Sequence, residues 1–501
     1  MARMRLNLAL GIINGVYAAG VGFLVVPFYL SYLGLEAYGL IGFYVALQGV
    51  LGLFDLGLTP TMSREVARAR GQGDVVAPRN LLFTFALISW VIAAVIGIGV
   101  VALSGWFTHS WLQTQTLPDT TVQQAVMLMG IAVAVRWPLA IYSGVLIGAE
   151  RLALISIINI VMISITSLGA VAILAFVAPT LKAFFVWQAL AGGVHVLVAR
   201  AASWRALYHT APARFHREGL MRVWRFSAGT AVITVLSVIF VQSDKVVLSR
   251  LVGLEALGQY TLAFLVARVL NLVVGPTFNV VYPRLTHLTS TGDRAELLRF
   301  YKSVTWLLMM VVWSGAVYLL FFGVDLVTLW TGDAALAQRI ALCVALLAMG
   351  TALNTAMTLP YALQLASGMV RIPLTITVTL IIVFVPMLAG LSRMYGINGA
   401  AGSWLILNFL YLPFGTWLTH RTLLRGEGVR WIIKDVLLPA FMAAAIVGGG
   451  AVLTRFMFAG AFAHVAAGLL FPALTVGFAL LWSRDLIHHR GRGSVPAVAA
   501  A

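Results

Sequence analysis

Two arginines stand near the midpoints of long apolar runs, Arg136 within 122–148 and Arg268 within 257–282. An arginine at the centre of a membrane-crossing helix costs about 2.5–3.5 kcal/mol on insertion scales, so it persists only where something compensates it. Arg136 lies two residues before Pro138, and no acidic residue in its own run can pair with it. Arg268 is followed by Asn271, Gly275 and Asn279 at i+3, i+7 and i+11, a spacing that lays all four on one helical face. Guanidinium groups grip phosphate oxygens bidentately, so the chemistry expected of the pair is recognition of an anion.

Other polar residues recur at helical spacing inside apolar runs. Asn7 and Asn14 are seven apart, as are Gln48 and Asp55; Gln242, Asp244 and Lys245 fall in 225–251; Thr351, Asn354, Thr358 and Tyr361 fall in 336–361. Polar faces on several helices point to a shared hydrated cavity. The candidate substrate-binding set is therefore Arg136, Arg268, Lys245, Asn14, Asn271, Asn354 and Tyr361, with Asp55 and Asp244 as candidate sites for coupling to H+ or Na+. Asp244 can equally neutralise Arg268, and Asp55 can belong to an FDLG turn. His195 reads as an interior residue, and Arg64 and Arg284 as surface arginines that orient their helices. No phosphate loop, zinc-type spacing or serine–histidine–acid set is present, so no catalytic residue, metal or cofactor is expected.

The elements that must hold these residues follow from composition. The chain has 501 residues, of which 61% are hydrophobic and 10% charged, against roughly 45–50% apolar and about 25% charged in a soluble domain. It reads as an all-α polytopic membrane protein. With about 20 apolar residues per span, runs fall near 8–32, 38–61, 80–104, 122–148, 152–178, 183–203, 225–251, 257–282, 303–324, 336–361, 372–392, 400–419, 435–456 and 459–483, about fourteen helices. The runs are continuously apolar and lack the alternation of a barrel. The first is too long for a cleaved signal and is expected to be retained. Cys343, inside an apolar run, excludes disulfides.

The net charge of +17 is explained by topology. With both termini inside, 25 of the 33 Lys and Arg fall on the cytoplasmic side, as the positive-inside bias requires, and nucleic-acid binding is not expected. The outer loops are short, the longest being about Gly105 to Thr121.

The segment Gly34 to Asp74 returns in worn form at Gly253 to Asp293, an offset of 219 residues, each copy opening on GLEAxG and closing on Gly-Asp. Such self-similarity marks an internally duplicated fold. The expected division is an N-terminal lobe at 1–203, a cytoplasmic linker at 204–224, a second lobe at 225–421, and helices 13–14 with a tail at 422–501. Under this register Arg136 maps to Thr355 and Arg268 to Gly49, so the scaffold repeats and the cationic positions do not.

The motifs GLEAYGL, FDLGL with SREVARA behind it, GAERLALIS, SDKVVLSRLVGLEALGQY, LWTGD and YGINGAAGSW, in this order across helices 1 to 12, resemble Wzx-type lipid-linked oligosaccharide flippases of the multidrug, oligosaccharidyl-lipid and polysaccharide exporter superfamily. The resemblance implies two pseudo-symmetric six-helix lobes plus two C-terminal helices, facing across a cationic cavity. It implies an undecaprenyl-diphosphate-linked glycan moved from the cytoplasmic to the periplasmic leaflet of a bacterial inner membrane, for O-antigen, capsule or exopolysaccharide assembly. Membrane lipids, a polysaccharide polymerase and a chain-length regulator are the implied partners. The basic cluster in helices 1 and 2 expected of lipid II flippases is missing. The alternatives are a cation-coupled multidrug exporter of the same superfamily, which needs an acidic, aromatic cavity, and a membrane polysaccharide polymerase, which needs a sizeable outer loop.

Overall fold

The computed structural model describes residues 2–52, 58–74, 76–207, 212–215, 238, 240–369 and 371–488. Asp55, most of the 204–224 linker, the beginning of the seventh run and the tail from 489, with Arg490 and Arg492, lie outside them. Among the described residues the chain is helical and has no strand. In order it runs through α1 (Ala2–Leu33), α2 (Leu35–Leu51), α3 (Leu58–Gly71), α4 (Ala77–Ala102), α5 (Asp119–Arg136), α6 (Leu139–Gly148), α7 (Leu152–Phe176) and α8 (Leu181–Ala206). There follow α9 (240–251), α10 (Leu254–Arg268), α11 (Val274–Thr291), α12 (Arg294–Thr331), α13 (Ala334–Ala356), α14 (Thr358–Ala366) and α15 (Arg371–Leu423), then α16 (Gly428–Met457) and α17 (Ala461–Leu481).

Eleven stretches among the described residues are long and apolar enough to span a membrane, α5 with α6, α10 with α11 and α13 with α14 each counting as one. The 53-residue α15 holds the eleventh and twelfth runs, which meet at Gly396, where φ is 57°. That left-handed conformation is open to glycine and strained for other residues. Each of the fourteen expected runs contains helix, the second as the shorter α2 and the seventh as α9. The chain is a multi-pass membrane protein.

Where single helices were expected, several runs are broken, and proline is the cause. Pro138 caps α6, and Pro276 and Pro360 sit third in α11 and α14. A proline has no N–H for the i−4 carbonyl and its ring collides with it, which kinks or breaks a helix. Pro27 and Pro283 lie inside α1 and α11, whereas here the upstream helix stops; in a first turn the missing N–H costs nothing. Thus α5 ends at Arg136, α10 at Arg268 and α13 at Ala356. Each end tightens through an i−3 bond: Trp137 N–H to Ala134, Val274 N–H to Asn271 and Met357 N–H to Asn354. Between α10 and α11 the chain is 3-10 helix over Val269–Val273.

Contacts divide the chain into two compact units, residues 1–261 with 392–397, and 262–391 with 398–501. In the first, α1 packs on α7, α5 on α4 and α8, and α3 on α6, around Met62, Val66, Phe85, Tyr142 and Val145. In the second, the 38-residue α12 is the spine, flanked by α11, α13, α16 and α17. The two helices outside the duplication are thus docked on α12. Lys302 pairs with Glu427 at 2.5 Å, Trp431 Nε1 donates to Thr305 Oγ1 at 3.3 Å, and Tyr318 Oη donates to the Val465 carbonyl at 3.1 Å.

The duplicated segment meets itself. A Cβ on Gly39 would collide with the Leu254 carbonyl oxygen and stand 3.2 Å from the Gly258 nitrogen. A Cβ on Gly258 would stand 2.5 Å from the Leu35 carbonyl oxygen and 3.1 Å from the Gly39 nitrogen. These four residues exchange under the 219-residue offset, so the contact is self-complementary, and small residues allow the backbone approach. At the other end of each copy Gly73 and Gly292 take φ of 71° and 74°. Asp74 accepts from the amides of Val76 and Ala77, and Asp293 from that of Glu296. Both endings therefore stop one helix and cap the next.

The loop at 105–121 straps the two GLEAxG turns. Glu36 Oε1 accepts from the Gln115 amide at 2.7 Å, and Oε2 from the amides of Thr116 (2.8 Å) and Leu117 (3.2 Å) and the Thr116 hydroxyl. Two residues back, the Gln113 carbonyl accepts from the Leu254 amide at 3.0 Å. Burial pushes the Glu36 carboxyl up, but these bonds to its charged form together outweigh it and hold its pKa below the ordinary value.

Gly39→Ala and Gly258→Ala should each lower stability by about 1–3 kcal/mol, the usual range for overpacking, because the obstruction is backbone; equal thermal midpoints for wild type and both variants would refute the contact. Glu36→Gln should expose amides 115–117 to hydrogen exchange at pH 7. A depressed folded pKa gives stability that is present above the unfolded value, roughly 4.3, and lost as pH falls through the folded pKa. Thermal midpoints should therefore fall on acidification below that range more steeply for wild type than for Glu36→Gln.

Candidate functional site

In the first unit the site is built on the last turn of α5. Arg136 is half-buried, and a cation at a helix C-terminus complements the dipole and the unpaired carbonyls there. Its aliphatic stem lies over Gly192 of α8, where a Cβ would come 2.5 Å from Cγ and 3.0 Å from Cδ. The charged end faces the Tyr44 hydroxyl of α2, with Gln48 one turn further along, and His195 of α8, three residues from Gly192 on the same face. Tyr44 and His195 are both buried. Three helices thus bring the Tyr44 hydroxyl and the His195 imidazole near the Arg136 guanidinium, and among the described residues no ion pair to it is formed.

Asp244 and Lys245 are buried, 6% and 5% exposed, and are engaged. Tyr260 donates to Asp244 Oδ2 at 2.9 Å, the Lys245 amide donates to Oδ1 at 2.8 Å, and the Lys245 ammonium lies 3.6 Å from Oδ1. Asn14 is half-buried on α1, with its carbonyl oxygen enclosed and unpartnered among the described residues. One turn on, Tyr17 shares a 2.6 Å hydrogen bond with Ser164 of α7.

In the second unit Arg268, Asn271, Gly275 and Asn279 are all exposed. The 3-10 stretch after Arg268 has three residues per turn, so Arg268 and Asn271 eclipse. On the same element, Phe278 and Tyr282 stack with centroids 5.6 Å apart and planes 4° from parallel, and Tyr361 of α14 stacks on Phe278 at 5.8 Å and 29°. Tyr361 is 42% exposed. Asn354 is turned to other work: its amide donates to Asn408 Oδ1 at 2.7 Å, beside Trp404, whose indole donates to Thr351 at 3.3 Å. Thr355, which the duplication pairs with Arg136, is 1% exposed and bonds the Thr351 carbonyl at 2.9 Å.

Tyr44, Gly192, Phe278 and Tyr282 were not nominated from sequence. The Phe278–Tyr282 spacing of four was the available signal; the glycine gave none, since the chain holds 47. Arg64 is exposed, and Arg284 pairs with Glu296, in keeping with surface roles.

The profile of a family described as "Polysaccharide biosynthesis protein" matches residues 7–289. The chain belongs to this family. A Shigella flexneri protein named "Putative O-antigen transporter" is 23% identical over 400 residues, 78% of this chain and 91% of its own. The fold is that of two solved transporters. Lipid II flippase MurJ in an inward closed conformation aligns with a TM-score of 0.69 at 13% identity, covering 96% of this chain and all of its own. An inward-facing multidrug resistance MATE family transporter of the MOP superfamily aligns at 0.63 and 14%, covering 85% and 95%. The family match agrees with the resemblance to Wzx-type flippases, and the fold with their superfamily.

Gly192→Ala tests the placement of Arg136. Here the obstruction is a flexible side chain, so the fold should hold, with a thermal midpoint closer to wild type than that of Gly39→Ala, while Arg136 is displaced. A loss as large as that of Gly39→Ala would show that the stem cannot yield.

Proposed function

We propose that this protein of the polysaccharide biosynthesis family is a transporter that flips an undecaprenyl-diphosphate-linked oligosaccharide from the cytoplasmic to the periplasmic leaflet of the inner membrane, with both termini in the cytoplasm. The observation that carries the reading is Arg136, a guanidinium at a helix break inside an apolar span, surrounded by neutral polar groups. A diphosphate is the anionic group of a lipid-linked sugar, and a planar, permanently charged fork suits its oxygens better than an ammonium. Arg268 at the break between α10 and α11 is read as a second ligand along the path of the headgroup. Asn271 and the Tyr361–Phe278–Tyr282 stack offer hydrogen bonds and ring faces to the sugars, and the lipid tail stays in the bilayer. The family match, the name of the Shigella relative and the superfamily fold support this reading.

The drug-exporter alternative needs an acid presented to a cationic substrate. Asp244, one of the two acids nominated for ion coupling, is buried against Tyr260 and Lys245 and so is not presented to a cationic cargo, which favours an anionic one. A polymerase or chain-length regulator would act on the flipped product.

Purified chain in vesicles, scored for headgroup flipping, tests the assignment. Loss of a hydrogen bond to a charged group is worth about 1.5–3 kcal/mol, so Arg136→Ala and Arg268→Ala should each slow flipping about ten- to one-hundred-fold, with Lys partially restoring it. Wild-type rates in both alanine variants would sink the proposal.

A further inference from the structure

A second polar feature of the second unit takes no part in the arginine-centred site. An open cleft of about 480 Å³ lies between the last turns of α11, the start of α12, the end of α14 and Leu423 of α15. That is within the roughly 300–1,000 Å³ of small-ligand sites. One wall is lined by Thr286, Thr289 and Ser290, and the others bring Arg294 and Ser367.

Accounting for protons defines what the cleft can bind. Thr286 donates to the Tyr282 carbonyl at 2.9 Å, Thr289 to that of Leu285 at 2.9 Å with that of Ala366 at 3.4 Å, and Ser290 to that of His287 at 2.7 Å. Each hydroxyl proton is committed to a backbone carbonyl, so these oxygens present lone pairs. Lining the same cleft, Arg294 is exposed and makes no ion pair among the described residues. The nearby acids are occupied, Asp293 in capping α12 and Glu296 with Arg284. Gly292, at φ 74°, leaves open space where a side chain would project. The result is a wall of acceptors beside a five-donor cation. Inorganic phosphate at neutral pH has few protons to give that wall. A sugar carrying a phosphate matches both sides, its hydroxyls donating to Thr and Ser and its phosphate accepting from the guanidinium.

We infer that this cleft is a docking subsite for a phosphorylated sugar, at the end of the helices that the charge bias places in the cytoplasm. This deepens the transport reading and rests on it for the identity of the cargo. The cleft lies one turn beyond Tyr282, so a sugar held there is next to the aromatic stack.

The test uses the full chain in lipid nanodiscs carrying Arg136→Ala and Arg268→Ala, so that the cleft is the remaining candidate site. Saturation-transfer NMR would follow N-acetylglucosamine 1-phosphate, with N-acetylglucosamine and inorganic phosphate as separate probes. The sugar phosphate should bind. Arg294→Gln should weaken it about tenfold, the scale of one charge-assisted hydrogen bond, and Ser367→Phe, which fills the cleft from the opposite wall, should abolish it, with thermal midpoints near that of the parent. Absence of probe binding, parent-like affinity in both variants, or inorganic phosphate binding as tightly as the sugar phosphate would overturn the subsite. The readout requires no transport, so its failure is separable from wild-type flipping by the arginine variants.

Discussion

A proline in the first turn of a helix kinks or breaks a preceding helix that would run into it, and the arrangement of polar groups in this protein depends on that constraint. At Pro138, Pro276 and Pro360 an apolar run that could have crossed the membrane as one helix is interrupted. Each interruption leaves carbonyls that lipid cannot satisfy, and such backbone is tolerated at membrane depth only where protein or a polar cavity receives it. Arg136 and Arg268 end the helices at two of the three breaks. A cation there interacts favourably with the carbonyl end of the helix, typically by 0.3–1 kcal/mol, which offsets part of the cost of its own insertion. Break and arginine therefore stabilise each other.

The duplication repeats the break without repeating the charge. Helices α6 and α14 begin 219 residues apart, at Leu139 and Thr358, so the interruption recurs in register. At the position of Arg136 the second copy has Thr355, whose hydroxyl turns back on its own helix. The parts that stayed alike are those whose shape is self-complementary. Gly39 and Gly258 each fill the space that the other's missing side chain leaves, so a larger residue in either copy would obstruct both. Glu36 is held by the amides of 115–117, and the Gln113 carbonyl of the same loop accepts from the Leu254 amide of the second copy.

Much of this was legible in the residues. The apolar runs placed the helices, but single helices were expected over 122–148, 257–282 and 336–361, and the breaks beside Arg136 and Arg268 were not read from them. The offset of 219 makes Gly39 and Gly258 corresponding residues, but that they meet at a backbone contact was not legible in it. Periodicity failed where it assumed an unbroken α-helix: the face drawn from Arg268 to Asn279 crosses a 3-10 stretch, and a run of apolar residues reads alike in both geometries. Lys245 looked available because charge in an apolar run invites a ligand, but its neighbour Asp244 and the distant Tyr260 enclose it, a pairing set by tertiary packing. The role of Gly192 is invisible without the partner helix that lays Arg136 across it.

The same distinction decides what charge a cargo would meet. Lys245 is balanced by Asp244 at 3.6 Å inside the protein, so it adds nothing to the field outside that pair, whereas Arg136 has neutral neighbours and Arg268 is exposed. On the transport reading such an unbalanced positive charge meets a diphosphate. A loaded site that is close to neutral moves through the membrane potential at little electrical cost. An empty one carries its charge alone, and each elementary charge is worth about 2.3 kcal/mol per 100 mV. On that reading, with the inside negative, the field would draw the unloaded arginines back toward the cytoplasm, and the potential would act on the return of the empty protein.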